Sequence, residues 1–300
     1  MKSKEYRITQ VISHIICLIF ALCAILPLLL LIIGSFTDNS WAVANGFSFL
    51  PGKWSAEAYR YIQSQWAMIG HGYLMTFIVT GLGTILGLAI STLFAYGISQ
   101  KDVPGMKLFS FLLIFTMLFN GGLVATYYSY INFFHIKDTI WALIVPNFLM
   151  NAFNVILIRN YFTNSIPPSL REAAVIDGAG EFRVFLSIVL PLSKPILATV
   201  GLLIGLTYWN DWTNGLYYLT KRGGSDLYTI QNILNNINEN IQALMQSSSS
   251  GSQLGTSASQ LPSTTVRMAI AVIGMLPVVI MYPFFQKYFV KGITLGGVKE

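Results

Sequence analysis

The densest pattern of charged and turn-forming residues in this chain lies between residues 166 and 191. It contains Glu172-Ala173-Ala174, then Gly178 after three further residues, and Ile188-x-Leu190-Pro191 after nine more. Alanine gives a helix a small, smooth face that fits a groove, and glycine permits a sharp turn. These residue types at this spacing predict two short helices joined by a turn.

The first half of this segment carries helix start and stop signals. Pro167-Pro168 ends the preceding helix, since proline disfavours helical backbone before it. Ser169 followed by Glu172 is typical of a capping box, which predicts a short helix beginning at Leu170. Gly178 is predicted to end that helix in the left-handed conformation. An alternative interpretation is a simple hairpin at the membrane surface, in which Glu172 does nothing but cap.

The second half predicts another short helix. Phe182, Phe185 and the pair Ile188-Val189 fall on one side of it at helical spacing. Pro191 is predicted to end this helix before the next apolar stretch.

The whole pattern resembles the EAA loop of ABC importer permeases, in which this loop is cytoplasmic and precedes the penultimate span. In that family the loop forms a coupling helix that docks into a cleft of the ATPase subunit. The resemblance implies ATPase coupling for eight residues: Glu172, Ala173, Ala174, Asp177, Gly178, Ile188, Leu190 and Pro191.

Further stretches resemble the carbohydrate-uptake branch of these permeases, in particular the smaller permease of the maltose importer. They are residues 99–105, Trp209-Asn210-Asp211-Trp212, and the tail from Phe285 to Lys299. The resemblance implies an all-α polytopic membrane protein with six transmembrane helices, of the type I importer class. The type I domain is expected at 71–285, after an N-terminal helix and loop in 1–70 and before a cytoplasmic tail at 286–300.

The resemblance also implies partners and substrate. These are a second, non-identical permease, two ATPase subunits that bind ATP and Mg²⁺, an extracellular binding protein and an oligosaccharide. This chain is expected to be no enzyme and to hold no cofactor, since it lacks the G-x-x-x-x-G-K-[ST] pattern that binds ATP phosphates. A peptide or amino-acid importer of the same fold is the alternative. In the maltose-type family the tail reaches between the ATPases, a role that would fall to Gly292, Gly296, Gly297 and Lys299.

A second polar cluster closes the fifth apolar stretch. Trp209, Asn210, Asp211, Trp212 and Asn214 combine aromatic faces, which stack on sugar rings, with groups that pair with hydroxyls. These residues suit a substrate path. They equally suit the aromatic belt that is common at the ends of membrane spans, and the sequence leaves both interpretations open.

The remaining residues support neither a metal site nor an intramembrane enzyme. His14, His71 and His135 are scattered, and the 2 cysteines lie in one apolar run without zinc-ligand spacing. No span interior offers a paired acid or an activated nucleophile. A scaffold protein would not need the EAA pattern.

Composition sets the frame around these motifs. Of the 300 residues, 54% are hydrophobic and 10% are charged, and the mean hydropathy is +0.61. A soluble domain carries about a quarter charged residues, so a polytopic membrane protein is predicted. Charge-free stretches long enough for about 20 apolar residues predict the spans. They lie near 11–35, 71–98, 108–131, 139–160, 193–216 and 266–286.

The distribution of basic residues predicts the orientation. With the N-terminus inside, twelve of the 18 Lys and Arg residues lie on inner segments, whereas the 12 acidic residues divide evenly. This bias is the positive-inside pattern, so the net charge of +6 reflects topology and not nucleic-acid binding. Both termini are expected in the cytoplasm of a bacterial or archaeal cell.

Overall fold

The computed structural model describes residues 4–100, 103–146, 148–249 and 263–297. Helices make up the regular structure of these ranges, where the one β contact is an isolated bridge between Thr37 and Trp54. The predicted all-α class is therefore confirmed. The α-helices are α1 (Lys4–Ser35), α2 (Asn39–Asn45), α3 (Glu57–Ser64), α4 (Trp66–Ser99), α5 (Met106–Leu118), α6 (Gly122–Asn132), α7 (Trp141–Ile144), α8 (Ala152–Ser165), α9 (Pro168–Ile176), α10 (Glu181–Val184), α11 (Leu190–Leu192), α12 (Lys194–Trp209), α13 (Thr213–Tyr218), α14 (Ile230–Ser249) and α15 (Ser263–Gly297).

Three continuous helices are long and apolar enough to cross a membrane, within the part of the chain that the structure describes. They are Ile8–Ser35, Trp66–Ser99 and Thr264–Pro283. Two further helix pairs meet the same test only together: α5 with α6, bent by 118°, and Glu181–Leu192 with α12, bent by 80°. The described residues thus provide three to five crossings by length and composition, and the chain is a multi-pass membrane protein.

Local backbone chemistry explains why three of the six predicted spans are interrupted. Between α5 and α6, Gly122 takes a φ of +81° and donates its N–H to the Asn120 side chain at 2.8 Å. Between α7 and α8 lies Pro146, after which the Asn151 side chain caps α8. After α12, the Asp211 carboxylate accepts the Thr213 N–H at 3.0 Å and starts α13. The charge-free stretches of the sequence indicate the length of an apolar segment, but they do not indicate where its helix is broken.

The chain forms two compact units. The first contains Met1–Met68 and Leu234–Pro277. Within it, Phe36 stacks on Tyr59 at 4.6 Å between ring centroids, and the Tyr59 hydroxyl lies 2.8 Å from the Ser35 hydroxyl. Asp38 caps α2 and pairs with Lys53 at 2.9 Å. Together these contacts connect the end of α1 to the loop and short helices that follow.

The second unit contains Ile69–Ile233 and Val278–Glu300 and holds the larger core. Helices α4, α7, α8 and α12 contribute buried apolar side chains to this core, and so does the segment around Phe185. Tyr208 is 1% exposed, and its hydroxyl donates to the Ile144 carbonyl at 2.7 Å. This bond satisfies a carbonyl at the C-terminal end of α7, where helical pairing stops.

Gly83 lets α4 approach Tyr208 of α12 closely, whereas Gly87, Gly201 and Gly205 are less crowded. A Cβ at Gly83 would lie 2.5 Å from the Tyr208 ring, and one at Gly87 would lie 3.2 Å from the Leu149 carbonyl oxygen. On α12, the corresponding contacts from Gly201 and Gly205 are at 3.5 and 3.4 Å, to side chains of α4. Small residues on α4 therefore serve packing within the chain, and Gly83 is the most tightly packed of these four glycines.

Helices occupy two parts of the C-terminal half, the region before the Ser-rich stretch and the segment predicted as a tail. Ile and Leu at helical spacing in the Leu227–Met245 segment predict a helix, and α14 covers most of this segment; most of the Ser-rich stretch 247–260 lies outside the described residues. Residues 286–297, predicted as a tail, continue α15 as far as Gly297.

Candidate functional site

The EAA-like pattern folds as two short helical arms, named here the 168–192 hairpin. Its first arm, α9, begins at Pro168 with Pro167 as N-cap, and no side chain caps it. The predicted capping box of Ser169 and Glu172 is therefore wrong. Proline suits the first helical position because its φ is preset and it has no N–H to satisfy, so α9 starts two residues before the predicted Leu170.

Gly178 ends α9 in the left-handed conformation that the sequence predicts, with a φ of +80°. The Gly178 N–H donates to the Val175 carbonyl at 3.0 Å, and the Ala179 N–H donates to the Ala174 carbonyl at 2.9 Å. These two bonds form a Schellman motif, which closes a helix when the residue after the C-cap is left-handed. The turn directs the chain into the second arm.

The second arm is continuous from Glu181 to Leu192 and includes a π-helical turn at Phe185–Val189. Pro191 does not end it as predicted, because its ring is accommodated in the first turn of α11. The arm ends instead at Ser193, whose buried hydroxyl donates to the Val189 carbonyl at 2.7 Å. The chain bends by 80° there before α12 begins.

The two arms differ in burial. Phe185 and Val189 on the second arm are buried in the core, and Ile188 is half-buried, but Phe182 is 68% exposed although it was predicted on the same side. On the first arm no residue is buried, and Ile176 is 86% exposed. The hairpin is thus anchored by its second arm and presents its first. Glu172, Ala173, Asp177 and Gly178 are exposed, and Ala174, Ile188 and Leu190 are half-buried against the core.

Glu181 is the charged group with the most bonds in the hairpin as described. Its carboxylate accepts a hydrogen bond from Arg171 at 2.9 Å and another from the Tyr96 hydroxyl at 2.7 Å. The Arg171 bond, followed by the Tyr96 bond, holds the pKa of Glu181 below its ordinary value. No sequence pattern predicts these contacts, although a turn at Gly178 is what brings residues ten apart together.

The predicted sugar-path residues at 209–214 do not share one surface. Asp211 and Asn214 are buried, and both have partners inside the fold. Asp211 also accepts the Thr213 hydroxyl at 2.7 Å and the Asn214 N–H at 3.2 Å, and the Asn214 amide donates to the Pro146 carbonyl at 3.2 Å. Trp209 is buried, whereas Asn210 and Trp212 are exposed.

A cavity of about 1070 Å³ opens between α4, α12, the second arm and the Val278–Tyr282 part of α15. Trp209 lines it, but most of its other lining residues are apolar. The Thr80 and Thr84 hydroxyls lie at its wall without a partner among the described residues. A sugar needs several hydrogen-bond partners, so this cavity suits apolar side chains or lipid better than a saccharide.

Two further predictions concern the tail and metals. Gly292, Gly296 and Gly297 lie in α15, and Lys299 falls outside the described residues. No group of three or more His, Cys, Asp or Glu side chains that would suit a metal ion occurs within the described ranges.

Comparison with a family model, with curated proteins and with solved structures relates this chain to transporter permeases. Residues 103–295 match the family model of the binding-protein-dependent transport system inner membrane component. The chain is 39% identical to the polygalacturonan/rhamnogalacturonan transport system permease protein YtcP of Bacillus subtilis, over 98% of this chain and 99% of that protein. It is 27% identical to the trehalose/maltose transport system permease protein MalG of Thermococcus litoralis, over 99% of each chain.

A solved structure is also similar over nearly the full length. It is the crystal structure of a bacterial ABC transporter involved in the import of the acidic polysaccharide alginate. The match has a TM-score of 0.77 at 30% identity and covers 96% of this chain and 99% of that one. The chain therefore belongs to the binding-protein-dependent transport system inner membrane components, the permeases of ABC transporters.

Proposed function

We propose that this chain is a permease subunit of an ATP-driven importer for acidic oligosaccharides. The full-length similarity to YtcP carries the proposal. Polygalacturonan is a polymer of a uronic acid, and the substrate of the similar solved transporter is also an acidic polysaccharide. Both relatives thus favour a carbohydrate that bears carboxylates, and neither supports the alternative of a peptide or amino-acid substrate.

The proposed complex contains a second, non-identical permease, two ATPase subunits and an extracellular binding protein. ATP and Mg²⁺ belong to the ATPases, and this chain contributes no catalytic residue. The family description, a binding-protein-dependent system, supports the binding protein, and the resemblance to maltose-type permeases supports the other subunits. Substrate crosses by alternating access, and the energy enters through the ATPase subunits.

The 168–192 hairpin is the proposed contact with the ATPase. The exposed first arm supports this role, because Ile176 and Val175 are 86% and 50% exposed at the end of a helix with no buried residue. Residues Glu172 to Gly178 would enter the cleft of the ATPase. The second arm, which is anchored in the core by Phe185 and Val189 and also includes the half-buried Ile188 and Leu190 and the exposed Pro191, would carry the displacement to α12.

Both termini are proposed to be cytoplasmic, and the loop between α14 and α15 extracellular. The excess of Lys and Arg on inner segments supports this orientation. A membrane-impermeant thiol reagent should label Ser249→Cys in intact cells, with Cys17 and Cys23 replaced, but not Ser3→Cys. Labelling at residue 3 would contradict the orientation.

The C-terminal end is proposed to contact the ATPases through residues 292–299. The resemblance to maltose-type permeases supports this proposal, under which Gly292, Gly296 and Gly297 would lie near the interface. Deletion of residues 293–300 should lower uptake and leave membrane insertion intact. Unchanged uptake would show that this end is dispensable.

The substrate class is tested by uptake in cells that carry the complete transporter. Radiolabelled trigalacturonate should accumulate, and a neutral arabinotriose should neither accumulate nor compete. Transport of the neutral sugar alone would contradict the acidic class while preserving the assignment to a carbohydrate permease. Transport of neither sugar, together with uptake of a peptide, would contradict the carbohydrate proposal.

A further inference from the structure

Glu181 joins three elements through one carboxylate. One of its oxygens, Oε1, accepts from Arg171 of α9 at 2.9 Å, and the other, Oε2, accepts from Tyr96 of α4 at 2.7 Å. Glu181 itself is the first residue of α10. Both arms of the 168–192 hairpin are thereby connected to the last turns of α4.

The Tyr96 side chain is well placed to receive displacement. Its ring lies 4.9 Å from Phe185 and 6.3 Å from Phe162, measured between centroids. Its neighbours on α4, Ala95 and Ile98, are buried in the core. A ring held by packing has little freedom to move independently, so a force on its hydroxyl acts on the helix.

The first arm, by contrast, has few attachments. No residue of α9 is buried, and its connection to the second arm is the turn at Gly178. Ala174 and Ala179 add partial packing on the core. The Arg171–Glu181 pair is therefore a restraint on the angle between α9 and the second arm, in addition to this packing.

We infer that Glu181, Arg171 and Tyr96 are positioning residues of the transport cycle, which transmit displacement of the hairpin by the ATPase to α4. The inference rests on the proposed docking of the hairpin. The pair is partly exposed, with 33% of the Arg171 and 55% of the Glu181 side chain accessible, so it contributes little to folding. Its loss should therefore reduce coupling without preventing assembly.

Tyr96→Phe provides the cleanest test, because it keeps the ring packing and removes only the hydroxyl. Tyr59→Phe is the matched control: it removes the bond to Ser35 in the other unit. Each variant is reconstituted in nanodiscs with the second permease, the ATPases and the binding protein. Three quantities are measured with trigalacturonate as the probe: ATPase that co-purifies, basal ATP hydrolysis, and hydrolysis stimulated by the loaded binding protein.

In Tyr96→Phe, co-purified ATPase and basal hydrolysis should match the wild type, whereas stimulated hydrolysis should fall about three- to fivefold. Tyr59→Phe should retain normal stimulation. Glu181→Gln should reduce stimulated hydrolysis by at least the same factor as Tyr96→Phe. The exchange Arg171→Glu with Glu181→Arg should restore stimulation, since arginine at 181 donates both to the new carboxylate and to the Tyr96 hydroxyl oxygen.

Wild-type stimulation in both Tyr96→Phe and Glu181→Gln would overturn the inference and leave hairpin docking untouched. Loss of co-purified ATPase in Tyr96→Phe would also overturn it, because the residue would then serve assembly. Failure of the proposed docking gives a different result. In that case the ATPase would still co-purify normally with a permease whose first arm, α9, is disrupted.

Discussion

Two segments flank α12, the 168–192 hairpin before it and the 209–214 segment after it, and they differ in where their side chains find partners. In the hairpin, Ile176 and Val175 are 86% and 50% exposed. In the 209–214 segment, Asp211 and Asn214 are only 9% and 2% exposed, and they bond within the fold. Residue type alone suggests polar binding at 209–214, yet two of its polar side chains are already bonded within the fold. The hairpin instead offers exposed apolar side chains for the proposed contact with the ATPase.

The largest expected effect comes from Gly178→Val in the hairpin. Nothing lies within 4 Å of a Cβ at this position, so the change acts through the backbone. A β-branched residue at a φ of +80° is strained by about 1–3 kcal/mol, which redirects α9. Uptake should be abolished while the permease remains in the membrane, as measured by transport of trigalacturonate and by immunoblotting of membranes.

Gly180→Val is the matched control for that variant. Gly180 also has open space at its Cβ position, but its φ of −71° and ψ of 159° suit a β-branched residue. Its transport should stay near wild type. Equal loss in both variants would show that bulk, and not the left-handed turn, is what the hairpin cannot tolerate.

The next largest effect is expected for Ile176→Ser on the exposed first arm. Burying an isoleucine at an interface contributes about 1.5–3 kcal/mol, so capture of the ATPase should weaken at least about tenfold. Leu50→Ser serves as control, because Leu50 is equally exposed at 86% and lies outside the hairpin. Titration of the ATPase onto the permease pair measures both. An unchanged affinity in Ile176→Ser would place the interface elsewhere.

In the 209–214 segment the expected effect is on stability. Asn214→Ala removes the bond to the Pro146 carbonyl and leaves that buried acceptor unpaired, at a cost of about 1–3 kcal/mol. The melting temperature of the detergent-solubilised permease pair should fall, while transport per folded complex is retained. Asn210→Ala, at an exposed position, should change it little. A transport defect in Asn214→Ala without a stability loss would restore the sugar-path interpretation.

The smallest effect is expected at Asp38 in the first compact unit, where the contribution to stability should depend on pH. Hydrogen bonds from Ser40 and Lys53, then from the Trp41 N–H, lower the pKa of Asp38 from 3.8 to about 2. Because the folded-state pKa is the lower one, the stabilisation is complete above pH 3.8 and is lost as the pH falls through about 2. Lys53→Ala should therefore lower the melting temperature slightly at pH 6 and not at pH 2. An equal effect at both values would contradict an ionic contribution.

Sequence reasoning succeeded where the determinants are local. The left-handed Gly178 follows from a local motif, and the multi-pass membrane class follows from composition and charge spacing. The error at Ser169 was also local: the capping signal competed with Pro168, whose ring and missing N–H fit the first helical position better. Such competitions are decided by small energies that a pattern does not rank.

Contacts distant in the sequence were not predictable. Tyr208 bonds to Ile144 and Asn214 to Pro146, across 64 and 68 residues, and these bonds attach the end of α12 and the start of α13 to the α7 region. The break between α7 and α8 is stabilised by the same contacts. The Tyr96–Glu181 bond joins residues that are 85 positions apart, and no local sequence pattern predicts it.

The most direct test of the central claim is photocrosslinking from the two flanking segments in the assembled transporter. A benzophenone-bearing phenylalanine analogue replaces either Ile176 in the hairpin or Trp212, which is 41% exposed in the 209–214 segment. Irradiation followed by gel electrophoresis and mass spectrometry identifies the partner. The account predicts a covalent adduct with the ATPase from position 176 and none from position 212. An ATPase adduct from 212, or none from 176, would contradict the assignment of the hairpin as the coupling element.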